Sequence, residues 1–205
     1  MVTPSIVKFL WEIFWKETEL KRQMAHLSFG LVYALFFSLG YINTTVSIVM
    51  LVATLALAFF LKTRRSFVDR IVLLLEREEH FWNLPLRGPI FFILGCTITI
   101  SFFSFIPALA GILVLSITDS IGTLYGKYMG VMKIRWNPRK HMEGPIIGGV
   151  LSTVMLYSFL PLVPAAVASF VGAFIDTLSM RVFGFEIDDN LVIPIVAAVV
   201  VKVMM

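Results

Sequence analysis

Residues 107–125 read PALAGILVLSITDSIGTLY, an apolar run of membrane-span length with a carboxylate, Asp119, in its second half. A hydrocarbon layer of roughly 30 Å takes about 20 helical residues. A charge inside such a run is costly unless it faces a cavity or a partner, so this one stretch bears on both fold class and chemistry. Six more runs of near that length occur at 24–41, 44–61, 89–106, 146–161, 163–181 and 191–205. Of the 205 residues 59% are apolar and 15% charged, and the mean hydropathy is +0.91, which argues against water as the solvent for most of the surface. The expected fold is an all-α integral membrane protein of about seven transmembrane helices. It forms a single polytopic domain over 1–205, with an amphipathic N-terminal segment at 1–23 and a transmembrane catalytic core at 24–205.

The distribution of charge gives the expected topology. Lys8, Lys16, Lys21 and Arg22 precede the first run, and Lys62, Arg64, Arg65, Arg70, Arg77 and Arg87 lie between the second and third. Lys127, Lys133, Arg135, Arg139 and Lys140 lie between the fourth and fifth, and Arg181 follows the sixth, so 16 of the 17 Lys and Arg fall on one side of a seven-span chain. The connections at 41–44, 104–107 and 160–164 carry no charge. By the positive-inside tendency the basic side is cytoplasmic. The net charge of +4 is therefore a membrane-topology signal, and no nucleic-acid partner is expected.

Lys8, Glu12, Lys16 and Glu19 recur at helical spacing among Phe9, Leu10, Trp11, Phe14 and Trp15, the pattern of an interfacial helix or of a partly buried one. A second amphipathic helix is expected on the cytoplasmic surface over 62–88, where charges alternate with Ile71 to Leu75; its simplest role is a solvated face attracted to anionic lipid. No short apolar core with a small-residue cleavage site follows the N-terminus, so no signal peptide is expected. Cys96 is the single cysteine, which excludes an internal disulfide and a multi-cysteine metal site.

Polar residues inside the runs gather on two helical faces. Ser116, Asp119, Ser120, Thr123, Gly126 and Gly130 share one; Ser169, Gly172, Asp176 and Ser179 share another. Glycine and serine at such positions also serve close helix packing, but packing does not need a carboxylate. Two loops add density: Arg139-Lys140-His141-Met142-Glu143-Gly144-Pro145, whose cations suit phosphate oxygens and whose carboxylate suits a metal, and Glu186 to Pro194, which offers Asp188, Asp189 and Asn190 as hard oxygen donors.

These residues resemble the CTP-dependent lipid kinases typified by dolichol kinase, phytol kinase and CTP-using diacylglycerol kinase, which are related to phosphatidate cytidylyltransferases. The resemblance spans about residues 17–196 and rests on four stretches. Glu19, Arg22 and His26 match a motif before the first span, with Gln23 where a second base is usual. Asp119, Ser120, Gly122, Gly126 and Gly130 match the Asp-rich helix. Lys140, Glu143 and Gly144 match a Lys-x-x-Glu-Gly motif, with His141 where a small hydroxyl residue is common. Asp189, Asn190 and Pro194 match the closing motif, preceded by Asp176 where Glu is frequent.

The resemblance implies transfer of the terminal phosphoryl group of CTP, with Mg²⁺, to the hydroxyl of a lipid alcohol such as a polyprenol or dolichol. Nucleotide arrives from the cytoplasm and alcohol from the bilayer leaflet. Asp119, Asp176, Lys140 and Glu143 would be catalytic, and Asp119, Asp176, Glu143 and Asp189 would hold metal. Arg22, His26, Ser120, Gly122, Gly126, Lys127, Gly130, Arg139, Gly144 and Asn190 would hold nucleotide. Charge on the transferring group must be neutralised by metal and placed cations, and these residue types supply both. Two other readings remain: a cytidylyltransferase forming a CDP-lipid, and a transporter with Asp119 and Asp176 along an ion path.

Overall fold

A computed structural model describes residues 18–63, 85–178, 181–182, 185–186 and 188–205. Each of the seven apolar runs is helical: α1 (Thr18–Ser38), α2 (Thr44–Thr63), α3 (Arg87–Phe102), α4 (Phe105–Met129), α5 (Glu143–Leu156), α6 (Leu162–Thr177) and α7 (Asp189–Met204). Two antiparallel hairpins join them: β1 (Lys133–Ile134) with β2 (Asn137–His141), and β3 (Arg181–Val182) with β4 (Phe185–Glu186). The amphipathic N-terminal helix lies outside the described residues as far as residue 17, and so does the cytoplasmic-surface helix between 64 and 84.

Local chemistry starts and stops these helices. The Asn43 side chain caps α2 by accepting the Val46 N–H at 3.0 Å, which satisfies one of the donors a helix start leaves open. Gly40, at φ +79, turns the chain between α1 and α2 in a conformation a Cβ disfavours. Hydroxyls within the apolar helices bond back to the carbonyl four residues earlier, as Thr97, Thr99, Ser116, Thr118 and Ser152 do. Such bonds let polar side chains sit where no water satisfies them.

Helix α4 is the axis of the bundle, packing on α1, α3, α5, α6 and α7. Its residues 110–120 are buried almost without interruption, around a core with Ile112, Val114, Leu115, Leu156 and Ile193. Glycines set the close crossings: a Cβ at Gly30 would meet Ser116 Oγ at 2.0 Å, one at Gly111 the Pro194 carbonyl at 2.3 Å, and one at Gly144 the Gly122 carbonyl at 2.3 Å. By contrast α2 packs mainly on α3 and presents Val49, Val52 and Phe59 outward at 59–71% exposure. Water would penalise that face and lipid would not.

Among the described helices, α2 and α4 are long and apolar enough to cross a membrane by length and composition. Helices α3, α6 and α7 have 16 residues and α5 has 14, about 21–24 Å at 1.5 Å per residue. The fifth and sixth runs are therefore shorter as helices than as apolar sequence, because Tyr157–Leu160 and Leu178 leave the helix.

Candidate active site

Three helices deliver one carboxylate each to a common point. Asp119 comes from the buried face of α4, Asp176 from the last turn of α6 and Asp189 from the first turn of α7, and one oxygen from each lies within 4.8 Å of the others. Fifty-seven residues of sequence separate the first two. The packing of α4 on both α6 and α7 brings them together, with Gly172 of α6 set against Val114 one turn before Asp119.

Strand β2 brings the cation. Lys140 Nζ donates to Asp176 Oδ1 at 2.6 Å and to the Asp176 carbonyl at 2.5 Å, and lies 3.6 Å from Asp189 Oδ2. Burial alone would push the Lys140 ammonium down, but Asp176, Asp189 and Asp119 outweigh it and hold the group above its usual range. Burial likewise works against the Asp189 carboxylate, and Lys140 reverses the effect, keeping it below the usual range. Asp188 differs: burial and the neighbouring Asp189 push it up to about 6, against the hydrogen bond from Asn190 and the charge of Arg87. Arg87 Nε lies 3.3 Å from Asp188.

Beside this cluster opens a cavity of about 240 Å³, lined by Glu19, Gly122, Thr123, Gly126, Lys127, Arg139, Lys140, His141, Pro145 and Asp176. Four residues expected to hold nucleotide, Gly122, Gly126, Lys127 and Arg139, thus line one cavity together with Lys140, expected to be catalytic. Glycine matters there twice, since it leaves room for ligand and lets α5 approach α4 through Gly144 and Gly148.

Other expected residues lie elsewhere. Glu143 is outside the carboxylate cluster: its side chain accepts the N–H groups of Val131 and Met132 at 3.0 Å each, which holds it below the usual carboxylate range. Both amides belong to the loop after α4, so Glu143 ties that loop to the head of α5. Arg22 pairs with Glu19 at 2.5 Å. Gly130 packs against the His141 side chain. Ser120 is fully buried, and its Oγ has no hydrogen-bond partner among the described residues. His26 Nε2 stands 3.5 Å from Asp119 Oδ2 and its ring meets Phe92 edge-on at 5.2 Å. Asn190 donates to Asp188 at 2.8 Å. The β1–β2 hairpin that carries Arg139 and Lys140 was not anticipated, since two short strands leave no alternation long enough to read.

The cluster is all oxygen. Hard donors at this spacing fit Mg²⁺, which binds through one or two carboxylates together with water and phosphate oxygens, and Lys127 and Arg139 stand ready for phosphate charge.

No family model matches the chain, and no solved structure matches it. It is 25% identical over 223 aligned residues to CTP-dependent diacylglycerol kinase 1 of Schizosaccharomyces pombe, covering 97% of this chain and 99% of that protein. It is 26% identical over 152 residues to CTP-dependent diacylglycerol kinase 1 of Eremothecium gossypii, covering 62% of this chain and 46% of that protein. The resemblance drawn from the motifs and these relatives meet at one place: the curated proteins this chain is similar to are CTP-dependent diacylglycerol kinases, a family of CTP-dependent lipid kinases.

Proposed function

We propose that this protein is a CTP-dependent lipid kinase of the membrane, whose acceptor is the free hydroxyl of a diacylglycerol. The observation that carries the reading is the meeting of Asp119, Asp176 and Asp189 within 4.8 Å at the edge of a cavity bearing Lys127, Arg139 and Lys140. The expectation of a polyprenol or dolichol gives way to diacylglycerol because both relatives are named for that substrate. Residues 24–205 form the catalytic core. The seven helices span the bilayer, with the basic loops and the active site on the cytoplasmic face.

In this reading the acceptor oxygen attacks the terminal phosphorus of the nucleotide and forms the new O–P bond. The bond from that phosphorus to the β,γ-bridging oxygen breaks, and its electron pair leaves with the nucleoside diphosphate. Asp119 takes the hydroxyl proton, as a base must lie within hydrogen-bond reach of it. Lys127 and Arg139 bind the phosphates, and Lys140 moves its charge from Asp176 toward them. Asp119, Asp176 and Asp189 would hold Mg²⁺, which when bound would supply charge neutralisation on the transferring group.

The test is product analysis with purified protein, labelled CTP, ATP, GTP and UTP, and a panel of diacylglycerol, dolichol and phosphatidate. CDP with phosphatidate made from CTP and diacylglycerol is the expected pair. Pyrophosphate with a CDP-lipid would establish the cytidylyltransferase reading, and absence of transfer from every nucleotide would reject a kinase.

A further inference from the structure

The buried polar atoms without a hydrogen bond among the described residues include Gln23 Oε1, His26 Nε2 and Asn190 Oδ1, of which His26 Nε2 stands against Asp119. Gln23 is 3% exposed and Asn190 8%. The orientation of both carboxamides is fixed by their other ends. Gln23 Nε2 donates to Glu19 at 3.2 Å, and Asn190 Nδ2 donates to Asp188 at 2.8 Å. Carboxylates take only the NH₂ end of an amide, so each residue turns an acceptor oxygen the other way, with no donor to meet it. Buried acceptors are nearly always satisfied in folded proteins.

Their placement follows the helices. Gln23 and His26 lie one turn apart on α1, and the contact of His26 with Asp119 sets that face against the carboxylates. Asn190 adjoins Asp189 in the first turn of α7, whose backbone lies where a Cβ at Gly95 of α3 would fall. Phe92, one turn before Gly95, stands between α1 and α3 and meets the rings of His26, Phe29 and Tyr33 at 5.2–5.9 Å. The cationic cavity takes no lining residue from α3 or α7. The carboxylate cluster thus has a phosphate-suited side toward α4, β2 and α5, bordered on α1 by Glu19, the partner of the Gln23 NH₂, and a side of donor-starved oxygens toward α3, α7 and the face of α1 turned from Glu19.

We propose that Gln23, His26 and Asn190 form the acceptor subsite, which holds the hydroxyl of the lipid alcohol beside Asp119 on the side away from the nucleotide cavity, with the lipid entering along the seam that Phe92 fills between α1 and α3. A hydroxyl carries a single proton, so it supplies the donor that one of the two amide oxygens lacks and that Asp119 then accepts. In-line displacement needs the attacking oxygen opposite the leaving group, which is where a hydroxyl held at these amide oxygens would lie. On α1 beside the seam, Phe29, at 40% exposure and 5.3 Å from the Phe92 ring, is offered to the first carbons of the chains.

The inference rests on the lipid-kinase reading but is tested apart from transfer. The full-length protein in nanodiscs, without nucleotide, is irradiated with a diacylglycerol carrying a diazirine near the glycerol, and the labelled peptides are mapped. Labels within 18–30 and 87–100 are expected. Labels confined to α2, α5 or α6 would overturn the subsite even if CTP-dependent transfer is normal; seam labelling without transfer from any nucleotide would instead reject the kinase reading. In kinetics, whichever of Asn190→Ala and Gln23→Leu removes the oxygen that takes the hydroxyl should raise the lipid KM about tenfold, the size of one lost hydrogen bond, and change the nucleotide KM less than twofold; an unchanged lipid KM in both variants would overturn the subsite. The reverse split would overturn the proposal.

Discussion

Lys140 has two duties at the scale of single residues. It neutralises Asp176, which is 2% exposed, and in the proposed reading it also turns its charge toward the nucleotide phosphates. Lys140→Ala should therefore lower both nucleotide affinity and stability, the latter by roughly 3–5 kcal/mol, because a buried carboxylate is left without its partner. Lys140→Arg keeps the charge but brings a planar fork where a point charge sits between two carboxylates, so it should fold better than the alanine variant and still turn over slowly. A Lys140→Ala protein with unchanged melting midpoint and turnover would contradict both duties. Asp119→Asn and Asp176→Asn nearly preserve shape and should each cut turnover by roughly 100-fold or more, the scale of a lost catalytic acid or base. Both should shrink the melting shift given by Mg²⁺ with a CTP analogue, because a ligand stabilises only in proportion to its affinity. A variant that keeps that shift would remove its aspartate from the metal set.

At the scale of elements, the seam between α4 and α5 couples packing to the site. Gly144→Ala sets a methyl group against the Gly122 carbonyl, two backbones that must then part. A loss of roughly 1–3 kcal/mol is expected, together with weaker nucleotide binding, since Gly122 walls the cavity. Gly88→Ala, with nothing within 4 Å, is the control and should be near neutral. Glu143 ties the same seam to the loop after α4. Its folded carboxyl lies below the usual value near 4.5, so its contribution is present above that value and disappears as pH falls through the lower folded one. Melting scans from pH 6 to 3 should show a decline that Glu143→Gln lacks; parallel curves would deny the tie. Sequence pattern made the seven helices and the convergence of Asp119 with Asp176 legible, because a charge within an apolar run stands out against its neighbours. It did not reveal that Glu143 accepts the Val131 and Met132 amides, because those partners lie 12 and 11 residues away in the sequence. It passed over Gln23 and Phe92, whose significance lies in what another helix sets beside them.

For the whole molecule, the proposed topology places residues 41–44 and the β1–β2 hairpin on opposite faces of the bilayer. Asn43 and Arg135 are both exposed, and Cys96, the single native thiol, is fully buried, so Asn43→Cys and Arg135→Cys report against a quiet background. An impermeant reagent should reach them from opposite sides of sealed vesicles, and labelling of both from one side would end the seven-span arrangement. The Lys140 bridge also bears on how such a protein is made. Charges that depend on an imported ion for neutralisation leave a nascent chain unable to close its core until that ion arrives, as in small zinc domains that unfold when stripped. Here the counter-ion is written into the polypeptide and is delivered by translation itself, so insertion and folding proceed ahead of any metal. Chelation should accordingly halt transfer while leaving the thermal midpoint of the ligand-free protein in place, and the arrested enzyme should regain full turnover on readdition of Mg²⁺ without a refolding lag.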